Sequence, residues 1–547
     1  MSRASVARNQ PDSNEMITAP KKTKRQPRVP KLTLSGLLRR GYLPIELPPP
    51  FTAEPFSLAI CQPGAANLPD LRTSTRVRCE YVAYSLARSG SLRRRLAILN
   101  PLAYYRLASA IVKHQDELMS KACCSDLSLI KPIATHTGIL RRWPHLDAVP
   151  PKRAEVRVGK TTLLSADVSR FYPSIYTHAI EWALSSKAAA KARISGKRPA
   201  RTIGAEIDAL VQACQNGQTR GIPIGPASSM LLGEVILAQV DLSLVRQGIR
   251  TGFRAVDDYE LLFDDRSGAE RALTALEDAL AEFELELNPQ KTRIVALPQE
   301  LENRGIQELR GFRIRDHNRS SERSDLLHFF TRAFGRQREF PDKSILRYAV
   351  AALVDRAVHA ANAALLQSLV LQAVMAEPGV WPFAVRLLSE LHKLHVSLPL
   401  NPIRQTIYGI VSKCAPVRHS SEVAWSLWAA LIFEIVLPEN CVNAVAKMMD
   451  DCCAIMLFHM AKRNLCETEP EATPFADLMD AESLRGPHWL MSYELAVRDW
   501  VKPHSGADHI SSDSFFAFLR EKNVWFYDST AVEALTGRPD EEEELAY

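Results

Sequence analysis

The chain has 547 residues, 46% hydrophobic and 24% charged, an ordinary globular composition for a protein of roughly two to four domains. Collagen, a disulfide miniprotein and a wholly disordered chain are excluded. No apolar run approaches the ~18–20 residues that span a bilayer, and the first residues lack the apolar stretch of a secretory signal. A cytoplasmic protein without a membrane partner is therefore expected.

The net charge of +6 is spread unevenly: residues 1–160 carry 27 Lys and Arg against 11 Asp and Glu, and the remainder carries 41 against 51. A basic front suggests a polyanionic partner, nucleic acid or nucleotide. None of the ten cysteines stands in C-x-x-C spacing. Reduced, mostly buried thiols are expected, rather than zinc ligands.

In chain order, residues 1–30 form a basic, Pro- and Ser-containing arm with too little apolar surface to order itself. Order begins near Leu32, with Leu34, Leu37 and Leu38 at helical spacing. The prolines of Gly41–Phe51 forbid a helix and predict an extended, rigid path. Residues 80–120 read as helix, strand and helix, with Arg93–Leu99 as a basic strand broken by Asn100-Pro101. Thr162–Val168 reads as a short buried strand, Val211 and Gly217 bracket a loop, and Ser228–Val245 is an apolar helix. Phe253–Phe263 reads as two strands around an acidic turn, Ala269–Glu284 as an amphipathic helix and Arg293–Leu297 as a strand. Beyond about residue 325, apolar stripes of helical period follow one another, broken by prolines, and predict stacked helices. Residues 536–547 form an acidic tail.

Three segments carry chemistry together. Leu164–His178 ends an apolar strand in Asp167, with the aromatic pair Phe171-Tyr172 following. Arg220–Ser229 is a Gly/Pro loop opening an apolar helix, and Phe253–Phe263 presents Asp257-Asp258 at a hairpin tip. Two Mg²⁺ ions about 3.5–4 Å apart stabilise the attacking and leaving oxygens of a phosphoryl transfer. Mg²⁺ takes hard oxygen ligands and keeps several waters, so a few converging carboxylates suffice. Asp167 and Asp257 would bridge the ions, Asp258 would complete the shell, and the Val168 carbonyl is a further oxygen ligand. No P-loop, dinucleotide fingerprint, H-E-x-x-H or G-x-S-x-G is present.

In order and spacing these segments resemble motifs A, B and C of reverse transcriptases, with Leu285–Thr292 as the counterpart of motif D. A narrower resemblance is to bacterial abortive-infection and defence-associated reverse transcriptases. It is carried by Gly41–Phe51, Leu96–Tyr105, Phe171–His178, Glu422–Trp425, His488–Leu490 with Tyr493-Glu494, and Phe515-Phe516 before Val524–Tyr527. The resemblance implies an α+β fold: a fingers-like region over 31–160, a right-hand polymerase palm over 161–325, and an all-α helical-repeat domain over 326–535. It implies an Mg²⁺-dependent RNA-directed DNA polymerase (two ions, with Mn²⁺ as a substitute) acting in antiphage defence. Synthesis from dNTPs would be protein-primed and template-independent, the DNA product attached covalently and the chain homo-oligomeric. The competing readings are a conventional RNA-templated enzyme working with a non-coding RNA, and a non-catalytic nucleic-acid-binding scaffold.

Tyr172 matches the position where a ring excludes a ribose 2′-OH, with Phe171 packed into the palm. Gly225 and Pro226 would let the backbone approach the incoming nucleotide, Lys291 would serve the leaving pyrophosphate, and Arg94, Arg95, Arg141 and Arg142 would grip phosphates. Candidate protein primers are Tyr42, Tyr104 and Tyr105. His178 is expected to be structural. The sequence departs from the wider pattern at Ala255, where an aromatic residue is usual, and at Arg220, where Gln is usual and Gln218 lies two residues earlier.

Overall fold

A computed structural model describes residues 30–534, apart from 63–67, 69–70, 72–76, 91, 196–201, 355 and 395. The basic arm up to residue 29 and the acidic tail lie outside the described residues. The architecture is mixed, 53% helical and 10% strand.

The N-terminal part holds two hairpins. Strand β1 (Val82–Ala87) pairs antiparallel with β2 (Arg93–Ile98), and β3 (Lys131–Ala134) with β4 (Leu140–Trp143). The helix expected near residue 80 is instead β1. Val82 and Tyr84 are buried while Ala83 and Ser85 are half-buried, a period of two that suits a strand. Gly41–Phe51 is not helical, but neither is it extended. Leu47 N–H donates to the Pro44 carbonyl and Phe51 N–H to that of Pro48, so the prolines set two successive turns.

The central sheet has the order β6-β7-β5-β8, formed by β5 (Thr162–Asp167), β6 (Gly252–Ala255), β7 (Asp258–Phe263) and β8 (Arg293–Ala296), all pairs antiparallel. Helix Arg266–Ala281 packs across β5, β7 and β8, burying Ala269, Ala272, Leu276 and Leu280 on one face. Helix Ala227–Arg246 packs beside it. Contrary to the sequence expectation, it is by length and composition apolar enough to cross a membrane, the one such helix among the described residues, but 72% of its apolar window is buried inside the protein. The loop bracketed by Val211 and Gly217 starts later, because helix Ile203–Ala213 includes Val211.

The all-α part begins earlier than residue 326. Helix Arg304–Arg310 already packs on Arg319–Glu339, which runs through position 325, so a boundary there would cut a helix. Beyond it the helices stack in two columns. Arg319–Glu339, Ala363–Ala376, Leu400–Cys414 and Glu439–Ala446 contact one another in turn. So do Ile345–Ala351, Trp381–Lys393, Ser420–Ile432, Asp451–Lys462 and Trp489–Val497. The second column is the inner one: every residue of Ser420–Ile432 is buried.

The N-terminal part completes that burial, beside the neighbouring helices Leu400–Cys414 and Asp451–Lys462. Ser420 Oγ accepts from Ser85 N–H (3.0 Å) and Ser421 Oγ from Ala87 N–H (2.9 Å), which covers the free edge of β1. Glu422 forms a bidentate pair with Arg93. The indoles of Trp425 and Trp489 donate to the carbonyls of Glu46 and Ile98, and Asn100 donates to Leu484. Asp528 N–H reaches the Pro50 carbonyl. The scattered short motifs of the N- and C-terminal parts therefore meet along one seam.

Candidate active site

The register of the central sheet places Asp167 directly opposite Asp258. Val168 N–H donates to the Asp257 carbonyl at 3.2 Å. That makes 168 and 257 a hydrogen-bonded pair, so 167 and 258 occupy the closer, non-bonded position, with Cα atoms about 4.5 Å apart and side chains on one face. The Asp258 carboxyl lies within hydrogen-bonding reach of Asp167, and Asp257 is near enough to Asp167 to feel its charge. The structure thus brings the three carboxylates to one point. Buried Val168 sits at the same strand end.

Asp257 stands in the two-residue turn joining β6 to β7, and Val256 before it has φ 61°. Positive φ at the first turn position usually calls for glycine, and a β-branched residue there is strained. The turn is held from below. The fully buried Arg254 donates through Nη1 to the Val256 carbonyl (2.7 Å), while its remaining donors engage Glu234 and Asp241. Tyr259 also donates to Asp241, and Ser128 to Glu234. Arg254, Glu234 and Asp241 were missed by the sequence reading. Their signal was an arginine inside an apolar strand, facing acids seven residues apart on an apolar helix.

Asp167 is clamped by the segment after helix Arg266–Ala281. Asn288 N–H donates to its carbonyl at 2.7 Å, Asn288 Nδ2 to Oδ2 at 3.1 Å and Lys291 Nζ to Oδ1 at 3.0 Å. Lys291 therefore sits on the acidic cluster. It is 58% exposed and weakly compensating. Desolvation, the neighbouring Asp257 and the contact with Asp167 push the Asp258 carboxyl up to about 7. Burial and the Asp167 charge raise Asp257, against the opposing pull of Arg142 and Lys291. Three acids crowded against one close lysine are short of positive charge. The donors are all hard carboxylate oxygens, a set that fits Mg²⁺ or Mn²⁺ rather than zinc.

A cleft of about 610 Å³ opens beside the turn at Val256, lined by Arg94, Arg141, Arg142, Tyr172, Gly225 and Pro226. Arg142 Nη2 donates to the Tyr172 hydroxyl at 2.7 Å and fixes the ring. Phe171 is buried beneath, its ring 5.0 Å from that of Tyr172. Both rings lie against Gly233, where a Cβ would come within 3.0 Å of Phe171 and 3.2 Å of Tyr172. Gly233 is a second residue the sequence reading passed over.

The other expected site residues differ in their placement. Arg95 faces away from this cleft, because side chains alternate along β2 and Arg94 takes the near side. Gly225 is glycine for packing: at φ 133° a Cβ would strike Pro44 at 2.8 Å and the Ala97 carbonyl at 3.0 Å. Pro226 lines the cleft as the cap of helix Ala227–Arg246. Tyr42 and Tyr104 are fully buried and stacked at 4.7 Å. Their hydroxyls donate to the carbonyls of Leu99 and Gly41. Burial raises the pKa of both, so neither offers a nucleophile as folded. Tyr105 is half-buried on helix Pro101–Lys113. His178 pairs with Asp208, outside the aspartate cluster.

Cys414, His419 and Glu422 also lie within 4.8 Å of one another, but both Glu422 oxygens are taken by Arg93. That cluster belongs to the seam. No family model matches the chain, and no curated protein matches it significantly.

Proposed function

We propose that the chain is an Mg²⁺-dependent nucleotidyltransferase of the reverse transcriptase class, building DNA from dNTPs in antiphage defence. The observation that carries this reading is the convergence of Asp167, Asp257 and Asp258 beside a cleft holding Arg94, Arg142 and Tyr172. When bound there, two divalent ions would supply Lewis-acid stabilisation of the attacking and leaving oxygens. The protein's own share is positional. Asp167 is oriented by Asn288 and Lys291, and Asp257 by the turn that Arg254 holds. Arg94 and Arg142 supply donors for a triphosphate. The Tyr172 ring is fixed by Arg142 and seated on Gly233, and in this reading it would exclude a sugar 2′ substituent.

Priming from Tyr42 or Tyr104 is set aside by their burial. A protein primer would be Tyr105 or another hydroxyl, and the homo-oligomer belongs to the same proposal. Incubation of the full chain with Mg²⁺ and labelled dNTPs, with and without RNA template, tests the reading. Template-free label attached to protein supports untemplated, protein-primed synthesis, and template-dependent product supports the conventional enzyme. Asp257→Ala is expected to lower incorporation about a thousandfold, the scale of losing a central electrostatic group. Equal incorporation by Asp257→Ala and the parent would refute the assignment, and no incorporation by either would favour the scaffold.

A further inference from the structure

On the far side of β2 lies a second cavity, of about 750 Å³. It shares a wall with the first cleft. Arg94 and Leu96 of β2 face one cavity, Arg93 and Arg95 the other. The loop before helix Ala227–Arg246 behaves likewise: Gln218 and Arg220 line the second cavity, and Ile224 to Pro226 the first. The wall is sutured where Ala97 N–H donates to the Ile224 carbonyl at 2.7 Å. The opposite side comes from the all-α part, through Arg418 on the turn between Leu400–Cys414 and Ser420–Ile432.

The cavity's charges are not balanced alike. Arg93 is neutralised by Glu422. Asp450 is occupied by Ser420 Oγ and Cys453 N–H, and Asp451 by His488 and Met491 N–H. Among the described residues the Glu80 carboxylate accepts from Asn216 at 3.4 Å. Arg95, Arg220 and Arg418 are exposed, and no ion pair engages them among the described residues. Three guanidinium groups from three segments thus surround a space that also holds the half-buried ring of Tyr81. Arginine for phosphate and an aromatic face for a base is the combination that holds single-stranded nucleic acid. The volume is that of a drug-sized ligand, room for a few nucleotides and too little for a double helix.

We infer that this second cavity binds the phosphate backbone of a single nucleic-acid strand, through Arg95, Arg220 and Arg418, on the face of β2 opposite the first cleft. The inference rests on the nucleotidyltransferase reading for why such a strand is present, and its test runs apart from catalysis.

Fluorescence anisotropy of the full chain in EDTA, with labelled dT₁₂ and rU₁₂, reads binding while no incorporation occurs. The double variant Arg95→Ala/Arg418→Ala is expected to bind at least about tenfold more weakly. It should also lose about 1.4 from the slope of log affinity against log salt, at ~0.7 per phosphate contact on a single strand. Both side chains are exposed, so its melting should match the parent, and Arg220→Gln provides an independent variant. Tighter binding of dT₁₂ identifies the strand as DNA product, and tighter binding of rU₁₂ as a bound RNA. Parent-like affinity for both oligonucleotides in a normally melting double variant, and in Arg220→Gln, would overturn the proposal.

Discussion

Acids in the all-α part and at the hairpin tip of the central sheet are treated in opposite ways. In the former, each acid of the inner column has a donor built for it: Arg93 for Glu422, His488 for Asp451, Arg498 for Glu494. Directly beneath the hairpin the same rule holds, with Arg254 shared between Glu234 and Asp241. At the tip it fails. Asp167, Asp257 and Asp258 face one another with Lys291 as their close cation, on a turn that Arg254 holds and in which Val256 is strained. A buried charge without a partner is costly. At the tip three acids share one exposed lysine, which leaves an excess of negative charge where the proposed function would seat divalent ions.

The contrast has consequences of different sizes. In the metal-free protein, Asp257→Asn should leave the melting temperature unchanged or raise it, since it removes repulsion, while abolishing incorporation. A clear fall in melting temperature would place Asp257 with the structural acids. The largest loss of stability is expected from Arg254→Met, which strands Glu234 and Asp241. Denaturant unfolding should show a loss of about 3–5 kcal/mol, the scale of breaking a buried pair.

Next comes acid. His459 is buried against Trp500 and hydrogen-bonded to Tyr527, and burial with the nearby Arg463 and Arg498 lowers it to about 4. The folded state favours the neutral ring. That stability is therefore full above the unfolded value of 6.5 and is lost as pH falls towards about 4, up to on the order of 3 kcal/mol. His459→Gln should flatten the decline of the unfolding midpoint between pH 7 and pH 4.5. A smaller effect is expected at the seam: Glu422→Gln leaves the partly exposed Arg93 without its charge partner and should lower stability by about 2 kcal/mol. The smallest is of opposite sign. Val256→Gly relieves the turn and should raise stability by about 1 kcal/mol. It should also lower incorporation several-fold, because the loosened tip no longer holds Asp257. A gain in stability with undiminished activity would show that the strain has no positioning role.

Much of the central region was legible because its signals are local. The apolar helix Ala227–Arg246, the acidic hairpin and Asp167 at a strand end follow from periodicity and from the few residue types that tolerate a turn. The strand β1 was misread because a six-residue apolar segment does not declare its period until it is paired. Arg95 was placed with Arg94 because sequence neighbours look alike until the pleat separates them. Tyr42 and Tyr104 looked available because nothing local shows that two rings stack with their hydroxyls on backbone carbonyls.

From its sequence alone this protein was bound to have three acids at strand ends, a Gly/Pro loop before an apolar helix and a long helical second half, since each is set by neighbouring residues. Only the tertiary structure decided that the acids meet and that Arg254 lies beneath them. It alone also decided that Ser420 and Ser421 close the edge of β1, and that β2 divides two clefts, with Arg94 on one side and Arg93 and Arg95 on the other. Those relations join residues up to 335 positions apart. They depend on strand register and on which face of each element is buried, and both are settled only when distant surfaces pack.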